Sequence, residues 1–313
     1  MPMRTSGFAG SAADRKKRRI IIAFTVLVIG VLMFFSIRKG MELIEARQAI
    51  AGEAVSVADL WEQNRYSDVS AYAEARLAES PLDGDALLYA GYSRFYLAIS
   101  RLSTQERHAD LDACIRYLRL LKVRGDSPKP ERIDYVLGKA YLTKGPYWAD
   151  LAVQYLKQSL EAGYIAEDSY EHLGRAHSAL GDLEGALLWY KQAAAEHPTD
   201  RLLITLGEEA FKMGLYDDAA RYYQEAINST RDESLEKRGL SQLGQLYYDV
   251  GNYAMARVVL EDLVGKASDN KDYLFLLGET YFQLGMNAKA RQTWFAVTRI
   301  DPRHVGALRR LYD

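Results

Sequence analysis

Five histidines, one cysteine and several paired carboxylates are the residues of this 313-residue chain whose chemistry could go beyond packing. A zinc site needs convergent imidazoles, but the five-residue step from His172 to His177 turns them about 140° around a helix, where an i, i+4 pair would share a face. His108, His197 and His304 stand apart from that pair. Cys114, on the apolar side of "LDACIRYLRLL", has the setting of a small core residue, and a lone cysteine excludes an internal disulfide framework and a cysteine-rich zinc site. The acidic pairs Asp217–Asp218 and Glu208–Glu209 read as solvated helical faces. No G-x-x-x-x-G-K-[ST] loop follows a strand, and no strand pattern is evident. Nucleophile, base and orienting group do not converge. The expectation is a non-enzymatic protein with no metal, no cofactor and no small-molecule substrate.

The elements that position these residues repeat. "YVLGKAYLTKGPYWADLAVQYLKQSL" begins at Tyr135, "YEHLGRAHSALGDLEGALLWYKQAAAEHP" at Tyr170 and "LITLGEEAFKMGLYDDAARYYQEAI" at Leu203. "LSQLGQLYYDVGNYAMARVVLEDLV" follows from Leu240 and "LFLLGETYFQLGMNAKARQTWFAV" from Leu274. In each, a glycine falls where a helix should continue: Gly138, Gly174, Gly207, Gly244 and Gly278, separated by 36, 33, 37 and 34 residues. Glycine inside a helix costs about 1 kcal/mol relative to alanine, so a close backbone crossing must offset it. A period near 34 with two helices per unit is the mark of a helical solenoid.

The pattern is specific enough to name a resemblance. Leu173-Gly174, Gly181, Ala186, Tyr190, Ala193 and Pro198 fall where the tetratricopeptide repeat family places Leu-Gly, a turn glycine, Ala, an aromatic, Ala and Pro, and matching sets recur in the next three units. The resemblance implies an all-α, right-handed superhelix of antiparallel hairpins. In it His177 occupies an aromatic core position. Five clear units are expected over residues 131–304, two diverged units over 51–130, and the start of a capping helix over 305–313. The 47 residues from Gly91 to Gly138 require an insertion, placed at the "STQER" turn and at "RGDSPKPER".

Family likeness also implies a partner surface, because the first helix of each unit lines a concave groove for proteins or peptides. Carried over position by position, the groove residues are Tyr89, Tyr92 and Tyr96, then Tyr135 and Lys139, Glu171 and Arg175, Glu208 and Phe211, Gln245 and Tyr248, and Glu279 and Phe282. Members that clamp a chaperone tail place an asparagine where this chain has Tyr92, Lys139, Arg175, Glu208, Gln245 and Glu279, so that specific activity is not implied.

Near the start, Ile20 to Ile37 form an uncharged run of 18 residues, long enough to cross a membrane as a helix. Arg4, Arg15, Lys16, Lys17, Arg18 and Arg19 precede it, and only Arg38, Lys39 and Arg47 follow closely. That imbalance puts the tail, residues 1–19, in the cytoplasm and the repeats across the membrane, after a helical linker over residues 38–50. The first small-x-small site, Ala49-Ile50-Ala51, lies beyond five charged residues, which favours a retained single-pass anchor over a cleaved signal peptide. Net charge of −2 gives no general basis for binding nucleic acid, and 49% hydrophobic residues suffice for a sizeable core. The expected function is a scaffold tethered in the inner membrane, its repeats periplasmic, acting in assembly of an envelope, secretion or periplasmic flagellar complex. The alternative is an inverted, cytoplasm-facing regulatory adaptor or import-type receptor.

Overall fold

The computed structural model describes residues 56–127 and 129–312, together with Arg38. The chain divides into two compact units, Met1–Ser127 and Pro128–Asp313. The basic tail, the membrane span and, apart from Arg38, the linker expected over residues 1–50 lie outside the described residues. No helix among the described residues is long and apolar enough to cross a membrane. Those residues form helices and turns, with no strand.

In the first unit the helices are α1 (Val57–Glu62), α2 (Tyr66–Glu79), α3 (Gly84–Ser100) and α4 (Thr104–Arg124). Three of the four starts are set by side chains that accept from otherwise unpaired N–H groups: Ser56 at α1 in a reciprocal box with Asp59, Asp83 at α3 and Ser103 at α4. The "STQER" stretch is therefore not an inserted turn. Ser103 is the cap of α4 and accepts from Glu106 N–H, so the extra length extends a 21-residue helix. Its Ser-x-x-Glu order is itself a start signal. Gly91 faces Leu118 so closely that a β-carbon there would overlap the leucine side chain. Cys114 is fully buried on α4, and burial pushes its thiol well above the ordinary range. Beside this apolar core runs a charged clamp: Arg94 binds Glu74 at 2.5 Å and Asp110 at 2.7 Å, while Arg101 reaches Asp110 at 3.0 Å.

The second unit is a stack of five hairpins and a final helix. The hairpins are α5 (Pro130–Lys144) with α6 (Ala149–Glu161), α7 (Ser169–Ala179) with α8 (Leu183–Glu196), α9 (Asp200–Lys212) with α10 (Tyr216–Ser229), α11 (Glu233–Asp249) with α12 (Tyr253–Lys266), and α13 (Lys271–Gln283) with α14 (Asn287–Ile300). Helix α15 (Val305–Tyr312) then covers α14 with Ala307 and Leu311. The glycines explain the hairpins. A β-carbon on Gly174 would lie 2.6 Å from the Tyr190 ring, on Gly244 2.6 Å from Leu260, and on Gly278 2.6 Å from the Trp294 indole. Gly138 meets Leu156 and Gly207 meets Tyr223 in the same way. A large residue of the second helix thus occupies the space that a missing side chain leaves on the first.

From glycine to partner is sixteen residues in the last four hairpins and eighteen in the first. The difference is the longer turn of Gly145 and the 3-10 segment Pro146–Trp148. The short turns close on Gly181, Gly214, Gly251 and Gly285, with φ of 74°, 75°, 78° and 72°, a left-handed conformation that a β-carbon disfavours. Each second helix packs on the next first helix, which covers the apolar face a lone hairpin would expose.

Candidate partner-binding surface

Within the second unit, first helices of neighbouring hairpins approach one another, as α5 does α7, α9 does α11, and α11 does α13; second helices show no comparable approach. The first helices therefore form the inner side of this stack, closest at those three steps. Each residue directly after a crossing glycine is turned about 100° from the second helix and falls on that side. These are Lys139, Arg175, Glu208, Gln245 and Glu279.

Three of the five are held by the chain itself. Lys139 binds Asp168 at 2.8 Å, Glu208 binds Arg238 at 2.7 Å, and Glu279 is gripped by Arg310 through Nε at 3.0 Å and Nη2 at 2.6 Å. Glu279 is buried under that guanidinium. These charges tie one hairpin to the next element. Arg175 and Gln245 are the exposed members of the series, the latter donating to Asp249 one turn on. The groove positions expected for Lys139, Glu208 and Glu279 thus coexist with ion pairs the sequence reading did not include.

The aromatic residues separate in the same manner. Tyr135 donates to Asp168 and lies under the Lys139 ammonium, 4.8 Å from the ring centre. Phe211 is half-buried against the core, 5.7 Å from the Tyr216 ring. Tyr248 stands edge-on to Tyr253 at 5.5 Å, and burial, then the Glu279 charge, push its phenol up. Phe282 is 41% exposed, backed by Trp294 at 5.8 Å and by Arg310 over its ring at 4.8 Å. Tyr92 belongs to the first unit, in a cluster around Trp61 at 6.3 Å.

Several residues missed in sequence reading hold this surface in place. Asp168, beside the start of α7, collects Tyr135, Lys139 and His172. Burial opposes its charge, but the hydrogen bonds from His172, Lys139 and Tyr135 prevail and keep its carboxyl far below the usual range. With Glu167, Glu171, His197 and Thr199 it borders a cavity of 370 Å³. Glu209, expected on a solvated face, is instead buried, accepting from Ser178 at 2.8 Å and Lys212 at 2.8 Å. The reason is stacking: Ser178 belongs to the preceding hairpin. His177 is buried as its core position implies, and it also pairs with Asp182, the cap of α8, at 2.7 Å. A signal for these links was available. Lys139 to Asp168, Ser178 to Glu209, Glu208 to Arg238 and Glu279 to Arg310 are separated by 29, 31, 30 and 31 residues, just under one repeat. Among the described residues, no group of three or more His, Cys, Asp or Glu is placed to hold a metal ion.

Comparison with known proteins agrees with this geometry. A tetratricopeptide repeat model matches residues 149–201 and 241–304, and another matches residues 200–233. The second unit thus carries tetratricopeptide repeats. The TPR repeat-containing protein YpiA of Bacillus subtilis is 25% identical over 181 residues, which span 57% of this chain and 42% of YpiA. The chain thus accounts for less than half the length of that relative. Among solved structures, the C-terminal part of a TPR repeat-containing protein from Cytophaga hutchinsonii aligns with a TM-score of 0.65 at 14% identity, covering 82% of this chain and 98% of that one. YrrB, described as a TPR protein with an unusual peptide-binding site, aligns at 0.50 with 17% identity, covering 60% of this chain and 95% of its own. At these identities the likeness is one of fold.

Proposed function

We propose that this chain is a membrane-tethered, non-enzymatic scaffold that binds partner proteins or peptides along the first-helix side of its second unit. The observation that carries the reading is the inner side itself: first helices that approach one another at three of four steps, with Arg175, Gln245 and Phe282 exposed on a frame held by ion pairs to following elements. Aromatic area and oriented charge are what a groove needs to hold an extended peptide or a helix. That YrrB is described by a peptide-binding site supports the same use of the fold. The tether rests on sequence: the uncharged run from Ile20 to Ile37 and the basic excess before it, which together favour a single pass in the inner membrane with the repeats periplasmic. In that compartment the scaffold would serve assembly of an envelope, secretion or flagellar complex.

Photocrosslinking in intact cells tests the surface. A crosslinking residue replaces Arg175, Gln245 or Phe282 on first helices, and Gln224 or Arg291 on second helices. Discrete protein adducts should come from the first set. Adducts from the second set alone would move the binding surface. An alkaline phosphatase fusion after Asp313 tests the topology: it should be active, and an inactive fusion beside an active cytoplasmic reporter would favour the inverted adaptor.

A further inference from the structure

The hairpin-turn edge of the first unit carries exposed apolar side chains. Tyr96 near the end of α3 is 38% exposed, Ile99 one turn on is 53% exposed, and Leu102, in the turn before α4, is 97% exposed. Behind them stands a rigid aromatic base. Tyr66 at the start of α2 stacks on Tyr96 at 4.6 Å, and Trp61 at the end of α1 meets Tyr66 and Tyr96 edge-on at 5.3 Å and 5.6 Å. Of the nearby arginines, Arg65 pairs with Asp68 at 2.6 Å and Arg101 with Asp110 at 3.0 Å, and Arg107 donates to the Arg101 carbonyl at 2.8 Å. An apolar tip on a Trp/Tyr base is the chemistry of the lipid headgroup boundary, where amphipathic rings and a few aliphatic side chains are stable together.

We infer that this edge, Trp61, Tyr66, Tyr96, Ile99 and Leu102, rests in the membrane interface and holds the first unit against the bilayer. The inference depends on the proposed tether, and chain length supports it. Only residues 38–55 separate the uncharged run from the cap of α1, and 18 residues reach at most about 60 Å when extended. The first unit is thus confined near the surface, where a shallow insertion of side chains is an intramolecular event at high effective concentration. Docking there fixes the tethered end of the chain.

The test uses the full chain reconstituted in phosphatidylethanolamine–phosphatidylglycerol vesicles. The native cysteine is buried, so an environment-sensitive fluorophore can be placed singly by Leu102→Cys, Ile99→Cys or, for comparison, Val305→Cys, an exposed position of the second unit. Lipids carrying a nitroxide near the headgroup serve as quencher. Quenching at Leu102→Cys and Ile99→Cys should exceed that at Val305→Cys at least two-fold. If the chain stays with the vesicles but all three probes are quenched equally weakly, the edge does not dock and this inference falls while the tether stands. A chain that fails to float with the vesicles overturns the tether, and the docking with it. Probe shifts that follow protein concentration and ignore the quencher would assign the edge to a second copy of the chain, which also overturns the inference.

Discussion

The first and second units solve one packing problem with different connections. In both, a glycine lets two helices cross: Gly91 against Leu118 in the first unit, Gly174 against Tyr190 and its counterparts in the second. The connections differ. The second unit closes its short turns on left-handed glycines, and partner follows glycine by sixteen residues. In the first unit the turn Arg101–Ser103 has no glycine, α3 and α4 run to 17 and 21 residues, and the partner comes twenty-seven residues on. Polar support differs as well. The first unit is clamped by Arg94 between Glu74 and Asp110, whereas the second joins Lys139, Glu208 and Glu279 each to the following element and also pairs Lys266 with Glu236 and Lys271 with Asp301 within hairpins. A crossing is a local steric fact that tolerates any connection. A repeat signature is the connection.

The largest effect should come from filling a crossing. Gly174→Leu and Gly91→Leu each force a branched side chain into space already occupied by Tyr190 or Leu118, an overpacking cost of about 1–3 kcal/mol or more. Denaturant unfolding of the full chain should show a lower midpoint for both. If only Gly174→Leu is destabilising, the first unit does not depend on its crossing and the likeness between the units is superficial.

What was legible in sequence follows from the same distinction. The crossing and turn glycines of the second unit stand out because a missing side chain at a fixed period has no local explanation. The buried state of Glu209 was not legible, since a single helix shows only that it neighbours Glu208; its partner Ser178 lies one hairpin earlier. The repeat register puts Lys139, Glu208 and Glu279 on the first-helix side, but their partners sit about one repeat downstream in elements whose register a single unit does not give. The start of α4 was hidden differently: "STQER" resembles a turn by composition, and only its Ser-x-x-Glu order marks a helix cap.

A smaller effect is expected at the junction of the first two hairpins. Asp168 is ionised and held by His172, Lys139 and Tyr135, with its pKa depressed in the folded chain. A depressed carboxylate contributes stability that is fully present above its unfolded value near 4 and is lost as pH falls through the folded value. Its side chain is 39% exposed, so solvent screening should limit the loss in Asp168→Asn to about 1 kcal/mol at pH 7. The difference from wild type should shrink below pH 4, as read by thermal unfolding across pH. A difference that stays constant down to pH 2 would mean that the residue acts by shape and not by charge.

The smallest effect concerns the ion pairs that join hairpins further along. Glu208 and Arg238 meet at 2.7 Å, but the Arg238 side chain is 46% exposed, so Coulomb attraction is screened and two flexible side chains are ordered to gain it. Glu208→Gln should lower stability by about 0.5 kcal/mol in dilute buffer and by less in concentrated salt. The neutral amide keeps the shape and can still accept a hydrogen bond, so the variant isolates the charge. Coupling between neighbouring hairpins would then rest on the apolar contacts between each second helix and the next first helix, as one-dimensional stacking requires. A loss above 1 kcal/mol that salt abolishes would reverse this ranking. It would make the inter-hairpin charges the second unit's counterpart of the Arg94 clamp.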